Sequence, residues 1–483
     1  MNYLRNLWKS RDELSVGNIR KAYVPYMLVF PLGIMLSDVL YHDWETEIFG
    51  VDSILLQILV YGFAWLLCTF LPKNSIPYAL RTALIAGAAL VVPTVLLANS
   101  GATGLILIAA FQFCIGVTAA CGFFIFSYVL RNAERWMATV IIGLYYGIAW
   151  GLYEVGSVKE FTITVLPIIL VVVFVIVIFF IKPDTLKNAA VSASAWKRAK
   201  TDRGESSVEN TSTGQTKKGF YYVFILYVVY YFINLTNYFL EYEQDYIDDT
   251  FYGIGMIFGV LFVILIQLIF NRSVWHLWNL YLSLTVIGVV ITGLGFVLDA
   301  KTGSFIYGVA DNIGYLAVLY LIGSVAKMDG RYRFYRWACF IMFAHDVILS
   351  PVMDQVFEIA PDADNVIAVS IILVSVVVCF LLAPLLNKTI FSAEWIDNLH
   401  ALDLMQFGVQ MTEVDEIDRT KNLGLTPREK QIFTLLLTEF SAKQIAGELK
   451  ISSATINFHT TNLYRKLGIQ SRTELFAKYV GKQ

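Results

Sequence analysis

Thr103–Leu130 reads TGLILIAAFQFCIGVTAACGFFIFSYVL, 28 residues without a single charge. A helix rises about 1.5 Å per residue and a bilayer's hydrocarbon core is about 30 Å thick, so roughly 20 apolar residues suffice to cross it. This run exceeds that length and predicts a membrane helix that tilts or extends out of the bilayer. Working outward, comparable apolar runs lie near 22–41, 53–72, 78–99, 136–157 and 160–182. Six more lie near 220–240, 251–270, 275–299, 303–326, 335–356 and 366–387. The expectation is therefore twelve transmembrane helices. The composition agrees. Of 483 residues, 57% are hydrophobic and 15% charged, with mean hydropathy +0.63, against about 25% charged in an average soluble domain. A large soluble enzyme, a disordered chain and a secreted disulfide scaffold are excluded.

Loop charges give the orientation, because Lys and Arg accumulate on the cytoplasmic side. With twelve spans, the N-terminal arm 1–21 and the even-numbered gaps hold 22 Lys and Arg, including eight in the 183–219 connection counted with Lys182. The opposite side holds only Lys159 and Lys301. Both termini are expected in the cytoplasm, with the chain crossing the membrane many times. The arm 1–21 is polar and basic and lacks a signal-peptide apolar stretch. The 183–219 connection is rich in Ser, Thr, Asn and Lys and predicts a disordered loop. It divides the spans into halves at 22–182 and 220–387. The halves echo each other weakly, with ERWMATVIIG from Glu134 against YRWACFIMFA from Tyr335.

Six plus six spans, cytoplasmic ends and a long central loop resemble the layout of the major facilitator superfamily. The resemblance implies a bundle with a central cavity lined by helices 1, 4, 7 and 10. The loop LPKNSIPYALR from Leu71 lacks the Gly/Asp/Arg-rich motif of that superfamily, as does FNRSVWHLWN from Phe270. This absence counts against active transport. Polar side chains are costly inside lipid and mark candidate ligand positions. They are Asp38, Gln112, Glu154, Asn234, Asn237, Asp311, Asn312, His345 and Asp346. Hydrogen bonding that holds the bundle together is the competing role. Tyrosines such as Tyr145, Tyr146, Tyr230 and Tyr231 suit an aromatic pocket, and equally packing or interface belts.

After Asn387 the composition changes. The segment 388–424 carries three basic residues against seven acidic, and Phe391, Trp395, Leu399 and Leu402 recur at helical spacing. It predicts a linker with a possible amphipathic helix. The segment 425–483 reverses the balance, with nine basic residues against four acidic. Thr426-Pro427-Arg428-Glu429 is a capping box with Pro at the first helical position, and Ser441–Gln444 and Ser471–Glu474 are two more. Ser452 caps a further helix, and Gly468 suits its end. Four helices are expected to start near 427, 442, 453 and 472. Ile432, Leu435, Leu436, Ile445, Leu449, Ile456, Leu463 and Leu467 mark their inner faces. Only Lys450-Ile451-Ser452 separates the second from the third, which predicts a helix-turn-helix.

LTPREKQIFTLLLTEFSAKQIAGELKISSATINFHTTNLYRKLGIQSRTEL, from Leu425 to Leu475, resembles the LuxR-type DNA-binding domain in its opening, its turn, its third helix and its KLGIQSRTEL close. The resemblance implies bacterial transcriptional regulation and binding of double-stranded DNA as a homodimer. Asn457, Phe458 and Thr461 lie opposite Ile456 and Leu463 and are the candidate base readers. Asn can pair with adenine, and Phe and Thr can touch a thymine methyl. Lys443, Arg465 and Lys466 are the candidate phosphate contacts, which position a reader without specifying sequence. The family often places basic residues where Asn457 stands and near Thr461, so this departure alters the expected target sequence.

The whole chain is expected to be all-α: a twelve-helix membrane bundle, in contact with lipid, followed by a four-helix DNA-binding domain. No phosphate loop, metal-ligand cluster or nucleophile–base arrangement is legible, so neither an enzyme, a metal nor a cofactor is expected. The cysteines, Cys68, Cys114, Cys121, Cys339 and Cys379, lie in apolar runs and predict buried thiols rather than disulfides. The function expected is a one-component regulator, in which an unidentified small molecule binds the bundle and controls the DNA reader. The alternative is a secondary transporter with a regulatory DNA-binding tail.

Overall fold

A computed structural model describes residues 19–43, 47–48, 51–97, 100–153, 175–183, 221–230, 248–269, 300–329, 332–349, 364–389, 425–437 and 452–469, with scattered further positions. The chain divides into two compact units, Met1–Asp397 and Asn398–Gln483. The arm 1–21, the loop 183–219 and the linker 388–424 fall almost wholly outside the described residues.

In the first unit the described helices are α1 Val24–Asp43, α2 Ser53–Phe70, α3 Ile76–Leu97, α4 Ala102–Phe124 and α5 Asn132–Tyr153. After them come α6 Asp249–Ile269, α7 Ala300–Asp329, α8 Tyr332–Ala344 and α9 Asp364–Lys388. A wide π turn, Ile125–Val129, closes α4, and another, His345–Leu349, closes α8. Two-residue strands, β1 Glu47–Ile48 and β2 Val51–Asp52, pair antiparallel between α1 and α2. They are the exception to the all-α expectation among the described residues.

Four described stretches are long and apolar enough to cross a membrane: Lys73–Thr94, Ala102–Val129, Asp249–Gln267 and Lys301–Met328. The outward surface is greasy, with Phe179 80% exposed, Leu96 74% and Leu381 69%. A helix apolar all round, exposed on one side and packed on the other, suits lipid rather than water. Pro31, Pro93 and Pro384 sit inside helices, as membrane helices tolerate. All five cysteines are buried and free of disulfides.

Lipid tails offer no hydrophobic drive between helices, so close backbone packing has to supply much of the association. Glycines provide it here. Gly143, Gly147 and Gly151 recur every fourth residue of α5, and a Cβ on Gly253 of α6 would collide with the backbone of Gly151. Farther along α6, Gly255 and Gly259 meet the Phe305 and Val309 carbonyls of α7, and Gly308 of α7 meets the Tyr252 carbonyl. In the first half, Gly33 of α1 lies against Ala119 of α4, and Gly122 of α4 against Phe30. α5–α6 and α2–α8 are the principal contacts between the sequence halves.

Cations at helix ends also join these halves. The fully buried Arg135 donates to the Gly323 carbonyl (3.3 Å) and the Ser127 carbonyl (3.4 Å), and it bonds Asn132. Lys327 donates to the Leu130 carbonyl at 2.9 Å. Arg336 donates to the Thr69 carbonyl at 2.8 Å, and the Tyr332 hydroxyl to the Leu71 carbonyl at 2.6 Å. Nearby, Arg20 forks onto Glu134 at 2.7 and 2.8 Å while stacking on Tyr23. Helix-end carbonyls lack intrahelical partners, and Lys327, Arg336 and Tyr332 satisfy those of Leu130, Thr69 and Leu71 across the seam.

In the second unit, α10 spans Pro427–Leu437 and α11 spans Ser453–Leu467. Leu425, Ile432, Phe433, Leu436, Ile445, Ile456, Leu463 and Leu467 form a core of their own. Each such side chain contributes about 1.5–3 kcal/mol when fully buried. Phe433 is buried and Leu435 only partly so, a slight rotation of α10 from the face expected.

Candidate nucleic-acid interface and an apolar cavity

Local bonds fix both ends of α11. The Ser452 hydroxyl accepts from the Thr455 N–H at 3.1 Å, and the chain leaves through Gly468 at φ 63°, a left-handed position that glycine adopts freely. Gly468 N–H donates to the Arg465 carbonyl (3.3 Å) and Ile469 N–H to the Tyr464 carbonyl (3.0 Å), the paired bonds of a Schellman end. One face of α11, bearing Ile456, Leu463 and Leu467, is buried. Asn457, Phe458, Thr461, Arg465 and Lys466 are exposed. Phe458 is 65% exposed, an unusual position for a large ring without a partner surface. Thr461 spends its hydroxyl proton on the Asn457 carbonyl at 2.9 Å, leaving its lone pairs and methyl outward.

Two of the candidate phosphate contacts have partners. Arg465 donates to Asn462 Oδ1 at 3.0 Å on the exposed face. Lys466 reaches away to Glu429 Oε2 at 2.7 Å, which ties α11 to the start of α10. Glu429 also closes the capping box: it accepts from the Thr426 N–H at 2.8 Å, and its own N–H donates to Thr426 Oγ1 at 3.3 Å. The Lys466 ammonium and the Thr426 donors outweigh burial and hold the Glu429 carboxyl down at about 2. An unfolded Glu titrates near 4.3. The stabilisation is therefore complete above about pH 4.5 and drains away as pH falls toward 2. The melting midpoint of residues 398–483 is expected to exceed that of Glu429→Gln at neutral pH and to converge with it near pH 2. A constant gap would refute the link. Lys443 lies outside the described residues.

Among the described residues the intramembrane candidates do not gather into one site. Gln112 of α4 donates to Gln57 Oε1 of α2 at 3.2 Å. Asn312 donates to the Gly143 and Met256 carbonyls, both at 2.9 Å, and so staples α7 to α5 and α6. Asp311 is 4% exposed and accepts from the Tyr252 hydroxyl at 2.7 Å, with Tyr230 beside it. His345 opens the second π turn and is half-buried. Asp38 and Asp346 have described backbones, in α1 and the second π turn, but their side chains lie outside the described residues, as do Glu154, Asn234 and Asn237. No group of three metal-ligating side chains occurs among the described residues.

A cavity opens instead between α1, α2, α4, the 221–230 helix, α7 and α8. Phe30, Trp65, Phe123, Tyr230, Tyr315 and Met342 are among its walls, around a space of about 70 Å³ that is partly open to the outside. Of the polar candidates whose side chains are described, Gln112, Asp311, Asn312 and His345, none lines it. Tyr230 is the wall residue that its sequence had marked.

Residues 423–478 match a family model described as bacterial regulatory proteins, luxR family. The tail is a LuxR-type DNA-binding domain. That assignment implies DNA binding and transcription regulation for this LuxR-type segment. The chain also aligns with the crystal structure of the human organic anion transporter MFSD10 (TETRAN), at 13% identity, over 78% of this chain and 88% of that one. The TM-score is 0.40, too low to settle fold or function.

Proposed function

We propose that this protein is a membrane-embedded one-component transcriptional regulator. Its bundle binds a small molecule, and its LuxR-type domain reads DNA as a homodimer. Joining of that domain to long apolar helices in one polypeptide is the observation that supports this. A ligand that prefers one bundle arrangement shifts the population of DNA-competent dimers, by no more than its differential affinity for the two states. The proposal includes twelve spans in a major-facilitator-like layout, with both termini in the cytoplasm of a bacterial inner membrane. A reporter tag on the C-terminus is expected to read cytoplasmic. An external tail ends the proposal.

Asn457, Phe458 and Thr461 are assigned to base edges and Arg465 to phosphate. Asp311 is assigned to the response, because its buried carboxylate couples α7 to α6 through Tyr252. Asp311→Asn is expected to shift the inducer dose–response several-fold while leaving the operator affinity of the isolated tail unchanged. An unaltered dose–response removes Asp311 from the signalling path. The same buried carboxylate favours a second reading, a proton-coupled transporter with a regulatory tail, since proton coupling needs such a group. Uptake of labelled ligand into sealed vesicles separates the two.

A further inference from the structure

We propose that the aromatic cavity is the ligand site, and that its ligand is an uncharged aromatic molecule carrying one hydrogen-bond acceptor. The inference rests on the sensor reading above and names the class of molecule sensed. Three observations carry it. First, the walls are rings and aliphatic groups, and among the described residues no charged side chain lines the space. A carboxylate or ammonium brought there would lose its hydration without gaining a counter-charge. Second, Trp65 is 1% exposed, and its indole N–H has no hydrogen-bond partner among the described residues. A buried donor left unmade is costly, and Trp65 belongs to the cavity wall, so an acceptor that reaches the indole N–H gains a bond the described residues do not supply. Third, the wall is rich in rings that meet each other at tilted angles, Trp65 and Phe123 at 6.3 Å and 55° and Tyr230 and Tyr315 at 6.0 Å and 35°, so they offer ring faces and edges to an aromatic guest beside them.

The position gives occupancy a consequence. Trp65, Phe30 and Phe123 come from the first sequence half, and Tyr230, Tyr315 and Met342 from the second. A ligand held among them bridges the halves beside the seam. Tyr230 also hydrogen-bonds Asp311, so the same side chain meets the cavity and the buried carboxylate.

The test uses the full chain in lipid nanodiscs, three probes of one size, 2-acetylnaphthalene, 2-ethylnaphthalene and 2-naphthoate, and a straight-chain alcohol, dodecanol, as a fourth. Saturable binding above that of empty nanodiscs is expected for the acetyl compound and, more weakly, for the ethyl compound. Trp65→Phe keeps the ring and removes the donor. It is expected to weaken the acetyl compound about tenfold, a typical loss for one hydrogen bond, and to leave the ethyl compound unchanged. Ala338→Phe fills the space from α8 and is expected to abolish saturable binding of both. Should that variant fail to fold, the Trp65→Phe pair carries the test alone. The proposal is overturned by the absence of saturable binding, by equal weakening of both neutral probes in Trp65→Phe, or by tightest binding of naphthoate. A straight-chain alcohol such as dodecanol binding as well as the acetyl compound would overturn it too, by assigning the space to lipid. Binding is read without DNA, so its failure leaves the regulator reading standing, whereas loss of operator binding removes that reading and leaves the cavity result.

Discussion

Full-length protein carrying Asn457→Ala and Thr461→Ala together loses at least about 30-fold in affinity for an operator selected by the wild type. Each good base contact discriminates by about 1–3 kcal/mol, and each 1.4 kcal/mol is tenfold. The two side chains are exposed one turn apart on α11, and Thr461 shows its methyl and lone pairs outward because its proton is spent on the Asn457 carbonyl. Membrane insertion and the melting of the tail stay unchanged, since neither residue belongs to the core. Arg465→Ala differs in kind: it lowers affinity for all sequences and reduces the salt dependence by about one counterion. Lys466→Ala acts through Glu429 and lowers the stability of the domain. Gel shifts at two salt concentrations check the affinities, and membrane fractionation and thermal melts check insertion and stability. Full operator affinity in the double variant would remove α11 as the reading helix.

Gly253→Val is expected to cost about 3 kcal/mol or more, at the upper end of overpacking effects, and to leave little folded protein. The added Cβ alone would collide with the backbone of Gly151, and a backbone cannot rotate aside as a side chain can. Leu96→Val, on an outward position 74% exposed, serves as the control and should be near neutral. Size-exclusion profiles and thermal melts in detergent decide the matter. A monodisperse Gly253→Val protein with an unchanged midpoint would show that α5 and α6 do not press together.

Short-range chemistry was legible in the residues. Thr426 and Glu429 form the reciprocal cap that their spacing predicts, Ser452 caps α11, and Gly468 ends it in the left-handed conformation. Each of these is decided within a few residues of chain. The apolar runs likewise mark helices such as Ile76–Leu97 and Asp249–Ile269 to within two residues or so. What was not legible depends on partners far along the chain. Nothing local distinguishes Asn312, bonded to carbonyls on two other helices, from a ligand contact. Trp65, Phe123 and Met342 could each have been core, belt or pocket, and only their meeting from three helices makes a cavity. The glycine pattern at Gly143, Gly147 and Gly151 was a signal open to recognition, since small residues at every fourth place mark close helix contact in lipid.

That glycine contact also restricts how the molecule can change shape. Where main chain lies on main chain, no rotamer is available to cushion a slide, so α5, α6 and α7 travel as one plank. Ring-lined joints, such as Phe63 against Phe343 between α2 and α8, keep bulky hinges that can re-seat. A rearrangement of the bundle would then tilt that plank against its neighbours as a rigid lever, with the give confined to the aromatic side.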